Sequence, residues 1–499
     1  MVLNSARRTN YSTVVSHFVP RENSKKIASL HVTKFSRGLI LLAILLLFSQ
    51  QPINGQDNQS EAAPRQLTLY AAAEAVPALR YRLTGNFSDR IVGNAAVYYG
   101  KVTAEQMLLF NNSELAAAID ELQTMPLDQI RESKWAKQLG ESTSSWFQQL
   151  QFASRCSHCE WQVPYREGVF WEILLPELQQ TRSFARFLAI RARYQIAVGN
   201  FDGAIETIRV GLILAQHLYE SPTIISSLVG AAIQGTMHEQ LLTLIQQPDG
   251  PSLYWALQSL PTPIVGLRNG MMSERSALEN SFPAIREIET THAYTDAYWQ
   301  SIVEKTIAFQ MNQGFDESPS AMPTFTAAAW LFSSFPGAKA QLMDEGWSEA
   351  KIGSFSTWQI ALIVDVRNYT QQFDDMIKWS FLPYHQAVIQ WEKQQTQLRA
   401  TKPGLFENMM LPAIEAIVRA QARAQRNVEL LKTLESIRLN LGRDDHMLPT
   451  RLGDLTMPVE NDPITGKSFE YERTSPQSGR LQAPSVPGFR FDYEITVGK

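Results

Sequence analysis

The sequence predicts a mainly α-helical protein of helical hairpins or a helical bundle, followed by a small antiparallel β unit. Apolar residues recur at helical spacing through most of the chain from Leu67 to Leu441, and connections rich in Pro and small polar residues interrupt them. After Leu441 the composition becomes dense in Gly and Pro. The expected organisation is a signal segment at 1–55, a linker at 56–66, a helical region at 67–441 and the β unit at 442–499.

The amino-terminal segment predicts export. An uninterrupted apolar run extends from Gly38 to Phe48, and the residues before it are strongly basic, with Glu22 as their single acid. Small and polar residues follow the run, an order typical of a secretory signal peptide. The run is shorter than the about 20 apolar residues that span a bilayer. We therefore expect cleavage near Gln56 and a periplasmic or cell-envelope location, with an uncleaved membrane anchor through residues 38–48 as the alternative.

The net charge limits the classes of partner. The whole chain carries −4, and loss of the basic signal segment would leave the mature chain more acidic still. An acidic chain is repelled by a phosphate backbone, so nucleic acid is not an expected partner. A protein partner is expected, and membrane contact is expected only if the signal segment is retained.

Two stretches show the helical spacing most clearly. In the first, Tyr369, Phe373 and Met376 recur three and four residues apart, which places them on one helical face. The second set is Ile414, Ile417, Val428, Leu431, Leu434 and Ile437. Period-two alternation is sparse in the helical region, and its best example, ALRYRL at 78–83, predicts a short strand.

The carboxyl-terminal unit contains three short pieces rich in aromatic or β-branched residues: SFEYE, RLQA and FRFDYEITV. Turn residues separate them, so they predict antiparallel strands. In DPITG, Asp462 can accept local backbone N–H bonds, Pro463 fixes φ, and Gly466 tolerates a positive φ. These five residues predict a tight turn before the strands.

The same region resembles a known family. LESIRLNLGRDD, then MLPTRLGDL and VENDPITGKSFEYE, resemble the carboxyl-terminal part of type II secretion major pseudopilins over residues 434–471. The resemblance implies a helix followed by a turn and strands. In a pseudopilin the hydrophobic assembly helix is attached directly to this unit, whereas here most of the chain intervenes.

A resemblance over the whole chain rests on three segments: PALRYRLTGNFSDRIVGNAAVYYGK, PDGPSLYWALQSLPTP and DPITGKSFEYE. Together they are similar to a family of exported planctomycete proteins of unknown function. The resemblance implies export and no particular chemistry.

Residues 187–218 resemble one tetratricopeptide hairpin. Ala192, Gly199 at the turn, Ala204 and Gly211 are small, and small residues let two antiparallel helices approach closely. No similar pattern recurs about 34 residues away on either side, as a regular array would require. The segment therefore predicts a helical hairpin, either an ordinary one inside a helical domain or one that belongs to a partner-binding superhelix.

Both cysteines lie in the motif Cys156-Ser157-His158-Cys159. Glu160 follows where a c-type haem attachment needs His, and a zinc site would need ligands beyond His158. In an exported protein the motif predicts a local disulfide or two unpaired thiols. A redox pair and a metal site are the alternatives, although the preceding SSWFQQLQFASR indicates a helix rather than the strand that a thioredoxin-like site requires.

A polar cluster occurs in REIETTHAYTDAYW. If this segment is helical, Glu289, His292 and Asp296 share one face and could bind a metal or share a proton; the alternative is a polar helix face. HEQLL at His238 resembles half of a zinc-protease motif, but Leu242 occupies the position of the second ligand.

Three arginines form a stripe at helical spacing: Arg419, Arg423 and Arg426. Glu415 and Glu429 stand at ion-pairing distances along the sequence. The pattern predicts a solvated, ion-paired helix face, and the alternative is a site for an anionic ligand or a partner.

Two functional classes remain. The first is an exported, non-catalytic helical scaffold or protein-interaction protein. The alternative is an exported, hydrolase-like enzyme whose carboxylates, such as Glu289 and Asp296, are brought together by folding. The sequence contains no GxSxG, GxxxxGK[ST] or GxGxxG motif, so we predict no catalytic residue, metal ligand or cofactor.

Overall fold

The computed structural model describes residues 63–105, 112–141, 145–166, 168–291, 294–311, 321–400, 404–443, 446–483, 486 and 491–498. Its helices are α1 Ala95–Glu105, α2 Ser113–Thr124, α3 Leu127–Glu132, α4 Lys134–Glu141, α5 Ser145–Ala153, α6 Glu177–Ala197, α7 Phe201–Tyr219, α8 Ile224–Ile245, α9 Tyr254–Gln258, α10 Arg268–Arg275, α11 Ala277–Ser281, α12 Asp296–Gln310, α13 Ala321–Asp344, α14 Glu349–Gly353, α15 Thr357–Trp379, α16 Tyr384–Ala400 and α17 Glu407–Leu441. Its strands are β1 Arg65–Leu69, β2 Ile91–Asn94, β3 Cys156–His158, β4 Glu470–Ser475, β5 Ser478–Gln482 and β6 Asp492–Val497. The mainly α-helical class is confirmed, and the predicted signal segment lies outside the described residues.

The centre of the protein is three helices, α6, α7 and α8, which pack on one another, with α17 packed on α8. Helix α6 ends at Ala197, and Gly199 in the turn that follows has a φ of +77°, which suits a residue without a Cβ. Asn200 then caps α7 by accepting the Gly203 N–H at 3.1 Å. A Cβ at Gly211 would clash with the Met237 side chain, so the glycine allows α8 to approach α7 closely. Residues 187–218 thus lie in the hairpin of α6 and α7, while their tetratricopeptide likeness stays a prediction.

Other helices cover this centre. Helices α3 and α4 pack on α6, and α15 packs on α12, α13 and α17. The predicted apolar face of α15 is confirmed, since Tyr369, Phe373 and Met376 are all buried.

A four-stranded sheet lies at the carboxyl end of the chain, in the order β1-β6-β5-β4. The three strands β4, β5 and β6 pair antiparallel, which confirms the predicted unit. Strand β1 adds to it in parallel, with Leu67 opposite Ile495. Leu67 to Leu69 were expected to begin the helical region, and they form this strand instead.

Hydrophobic packing joins the sheet to the helices. Leu67, Leu481 and Ile495 from the sheet belong to the same buried cluster as Leu434 and Ile437 from α17. The helical region and the β unit therefore share one core.

An ion pair anchors β1 to α8. The Arg65 guanidinium donates to both carboxylate oxygens of Glu239, at 3.2 and 2.8 Å. Glu239 belongs to the HEQLL segment, and its neighbour His238 is buried. Burial lowers the pKa of His238 to about 4. The ion pair of Glu239 with Arg65 gives this segment a structural role at the junction of helix and sheet.

The strand predicted for ALRYRL at 78–83 is wrong. These residues form bends and a turn, and Leu79 is exposed while Leu83 is buried. Consecutive side chains of a strand point to opposite faces, but Arg80 and Tyr81 both bond to Asp202, at 2.8 and 3.0 Å.

The DPITG turn packs against α17. As predicted, the Ile464 N–H donates to Asp462 at 3.2 Å, and Gly466 has a φ of +70°. Asp462 also accepts two bonds from Arg426, at 2.7 and 2.8 Å, and both side chains are buried. The expectation that Arg426 lies on a solvated face was wrong, because the turn covers this part of the helix.

Candidate functional site

An open cleft, the polar cleft, lies beside the carboxyl end of α7 and has a volume of about 720 Å³. Its lining comes from the loop at 160–166, the turn between α7 and α8, and helices α10 and α11. The lining residues are Glu160, Tyr165, Arg166, Glu220, Pro222, Asn269, Met272, Ser273, Ser276, Glu279, Asn280 and Arg286. The volume falls within the range of about 300–1,000 Å³ typical of ligand-binding clefts.

Close packing fixes α10 against the start of α8. A Cβ at Gly270 would lie 3.0 Å from the backbone of Thr223 and Ile224, so these two backbones are in close contact. The buried Glu274 carboxyl group accepts the Ile224 N–H at 2.8 Å. This bond satisfies a backbone donor at the first turn of α8 and holds the α10 side of the cleft in place.

Two carboxylates in the cleft have backbone partners. Glu220 accepts the Cys159 N–H at 2.8 Å, and Glu160 accepts the Gln162 N–H at 3.2 Å. Burial raises the pKa of the Glu220 carboxyl, and the bond from Cys159 and the nearby His158 and Arg90 oppose this only in part. The Glu220 residue is nevertheless exposed to solvent in the cleft.

The two guanidinium groups of the cleft differ in their contacts. Arg286 lies 3.4 Å from a Glu279 oxygen and donates to the Asn280 side-chain oxygen at 3.1 Å. Arg166 lies over the Tyr165 ring, 5.1 Å from its centroid. The positive charge of Arg286 is thus partly balanced within the protein, and that of Arg166 faces solvent.

An aromatic cluster supports the loop that lines the cleft. Tyr99 and Trp161 stack with ring centroids 5.2 Å apart, and the Trp161 N–H donates to the His217 carbonyl at 2.8 Å. The Tyr99 hydroxyl and His217 Nδ1 are 2.8 Å apart. Burial lowers the pKa of His217 to about 4, so this histidine is neutral at physiological pH and positions the loop.

Both cysteines are free, buried thiols. Helix α5 precedes them, as predicted, and Cys156 begins β3. Burial raises the pKa of both thiols, and Glu220 raises that of Cys159 further. The two thiols are unpaired in this structure, and the local disulfide of an exported protein stays a prediction.

The thiols should react slowly in the native protein. Because the thiolate is the nucleophile and a raised pKa reduces its fraction, we expect iodoacetamide to label Cys156 and Cys159 far more slowly at neutral pH than after unfolding in guanidinium chloride. Intact-mass analysis over time measures both rates. Rapid native labelling would contradict the burial described here.

The structure does not place Glu289 and Asp296 on one helix. Glu289 lies in a turn and accepts two bonds from Arg367, at 2.9 and 2.6 Å, while Asp296 is the first residue of α12. His292 lies outside the described residues. The shared helical face was therefore a wrong expectation, because the helix begins only after this segment.

Neither a metal cluster nor a spanning helix is found in the described ranges. No group of three or more His, Cys, Asp or Glu side chains there could hold a metal ion. No helix among the same residues is long and apolar enough to cross a bilayer, and residues 38–48 lie outside them.

A second surface feature is the α13 apolar face, formed by Met322, Phe325, Ala329, Phe332 and Pro336. Their spacing of three and four residues puts them on one side of α13, and all five are exposed. Met322, Phe325 and Phe332 are 59%, 73% and 87% exposed. The opposite side of the helix packs on α12 and α15.

The polar cleft was not predicted from the sequence. Its residues come from segments between 160 and 286 that carry no recognisable motif, and Glu220 and Arg166 have no distinctive neighbours in sequence. No protein-family model, curated protein or solved structure matches this chain.

Proposed function

We propose that the protein is an exported, non-catalytic helical scaffold that binds a partner protein through the α13 apolar face. The observation that carries this proposal is the exposure of Met322, Phe325 and Phe332 on one side of a helix. Soluble proteins rarely expose contiguous large apolar patches, and those that they do expose often mark interaction sites. Burying one Phe side chain contributes about 1.5–3 kcal/mol, so two such anchors support a stable complex.

The composition of α13 favours an apolar protein partner over a membrane surface. Residues 321–338 contain no charged side chain, and Lys339 and Asp344 are the only charged residues of the helix. Helices that lie in a membrane interface are rich in Lys and Arg on their polar face. Ala329 between the aromatic side chains leaves room for a partner helix to approach, as in helix-in-groove recognition.

The hydrolase-like alternative has less support at Glu289, one of its two candidate carboxylates. Glu289 is paired with Arg367 in a turn, so its charge is balanced within the protein. A catalytic carboxylate usually lies in a cleft and has a pKa shifted to a value that suits its role as an acid, a base or a nucleophile. The ion pair with Arg367 favours a structural role for Glu289 over a catalytic one. This weakens the hydrolase-like alternative relative to the binding protein.

The test is site-specific crosslinking. With p-benzoylphenylalanine in place of Phe332, we expect ultraviolet light to link the protein to one defined protein in a cell-envelope extract. The partner, once purified, should bind wild type, and the variant Phe325→Ser/Phe332→Ser should bind more than about tenfold more weakly because it lacks both apolar anchors.

Phe87→Ser is the matched control, since Phe87 is 83% exposed on another part of the surface. It should bind the partner as wild type does. Equal binding by the double variant and wild type, or crosslinking to no specific protein, would contradict the proposal. Crosslinking only to a second copy of this chain would show that the α13 apolar face mediates self-association and does not bind a different protein.

A further inference from the structure

Charged side chains of both signs line the polar cleft, and some of them form no ion pair there, whereas Arg286 pairs with Glu279 at 3.4 Å. Among the described residues, Glu160 and Glu220 form no ion pair within 4.0 Å, and neither does Arg166. Glu160 lies close enough to Glu220 to disfavour its ionisation. Because unpaired charges in a shared cleft remain available to a ligand, the arrangement selects a molecule that carries both signs.

We propose that the polar cleft binds a short peptide with free termini, whose ammonium group lies at Glu160 and Glu220 and whose carboxylate lies at Arg166. The ammonium group supplies three N–H donors to the two carboxylates. The guanidinium offers a planar fork of donors that matches a carboxylate. The ligand is therefore recognised at its two ends.

Ligands that carry charge of only one sign fit the cleft less well. An inorganic anion at Arg166 would face the carboxylates of Glu160, Glu220 and Glu279 across the same cleft. A simple cation at the carboxylates would leave Arg166 without a partner. A zwitterion pairs with both groups and adds no net charge to the cleft.

The remaining lining suits the body of a peptide. Met272 is 48% exposed and Pro222 also lines the cleft, so both offer apolar contact to a side chain. The Asn269 amide N–H donates to the Tyr219 carbonyl at 3.4 Å, which leaves its oxygen for a peptide N–H. The Ser273 hydroxyl oxygen is buried and has no hydrogen-bond partner among the described residues.

Isothermal titration calorimetry with the tripeptide Ala-Leu-Ala tests the proposal. We expect wild type to bind the peptide with free termini. Acetylation of the amino terminus or amidation of the carboxyl terminus should each weaken binding by roughly tenfold or more, because each removes a charge-assisted hydrogen bond.

Two variants show which residue of the cleft binds which terminus of the peptide. In Glu220→Gln the penalty for acetylation should shrink while the penalty for amidation remains, and in Arg166→Gln the pattern should reverse. The matched control is Arg451→Gln, which changes an arginine that is 81% exposed beside Asp454 and should keep both penalties.

Three outcomes would overturn the inference: equal affinity for free and blocked peptides, penalties that neither variant changes, or no binding to wild type at millimolar peptide. The variant Phe325→Ser/Phe332→Ser should bind the tripeptide as wild type does. The proposal for the polar cleft and the proposal for the α13 apolar face are thus tested independently of each other.

Discussion

Replacing Arg438 with Met is expected to lower the free energy of unfolding by about 3–5 kcal/mol, because it leaves the buried carboxylate of Glu435 without its cation. Arg438 Nη1 donates to Glu435 at 2.6 Å, and both side chains are completely buried. The same guanidinium donates to the carbonyls of Gly250 at 2.6 Å and Tyr70 at 3.2 Å. Its loss therefore also leaves buried carbonyls unsatisfied, one of them in the segment that follows β1.

Chemical denaturation followed by circular dichroism measures the effect. Arg451→Met is the matched control: its ion pair with Asp454 is exposed, so the change should stay within about 1 kcal/mol. If Arg438→Met does not fold, the double variant Arg438→Met/Glu435→Met should recover part of the stability, because no charge is then left unpaired. A loss below about 1 kcal/mol for Arg438→Met would show that this pair is not an anchor of the fold.

Glu274→Gln is expected to make the protein more stable than wild type at alkaline pH and to leave it nearly unchanged at acidic pH. Burial raises the pKa of Glu274 from 4.5 to about 8, and the bond from the Ile224 N–H opposes this only in part. Between these two values the unfolded carboxyl is ionised while the folded one keeps its proton. The folded state then binds more protons, so stability falls as the pH rises through this window.

The size of the effect follows from the two pKa values. Each pH unit between them changes the stability by about 1.4 kcal/mol, so the whole window from 4.5 to about 8 amounts to on the order of 5 kcal/mol. Gln keeps an acceptor for the Ile224 N–H but does not ionise. Tyr369 and the ion pair of Arg275 with Asp374 lie around Glu274, and they are the same in both proteins.

Denaturation midpoints of wild type and Glu274→Gln at about pH 5 and about pH 9 give the comparison. Glu470→Gln serves as the control, since Glu470 is exposed on β4 and should change neither midpoint appreciably. If the difference between wild type and Glu274→Gln does not grow with pH, Glu274 is ionised in the folded state at neutral pH and the argument fails.

Local patterns predicted the helical fold and the final strands well. The face of α15 carries Tyr369, Phe373 and Met376 into the core as their spacing requires, because side-chain direction along a helix depends only on the helical period. The turn at Asp462 formed as its residue types indicated. These features depend on neighbours a few residues apart.

Pairings between distant segments were not predicted. Strand β1 pairs with β6 at the other end of the chain, and the alternation of Leu67, Thr68 and Leu69 within it is too short to identify a strand. Arg426 was expected to pair with Glu429, three residues along its helix, but it bonds to Asp462. In both cases a distant partner in the folded chain determines the outcome, and nothing in the local sequence names that partner.

The sequence by itself determined the helical class, the antiparallel carboxyl-terminal strands and the turn at Asp462, because periodicity and turn chemistry act over a few residues. Only the tertiary structure decided which charges are paired, which are buried and which face the polar cleft. Glu274, Glu289 and Glu220 carry the same side chain, yet one is buried, one is neutralised by Arg367 and one lines the cleft. Charge pairing and dehydration depend on distance through space, and folding alone sets that distance.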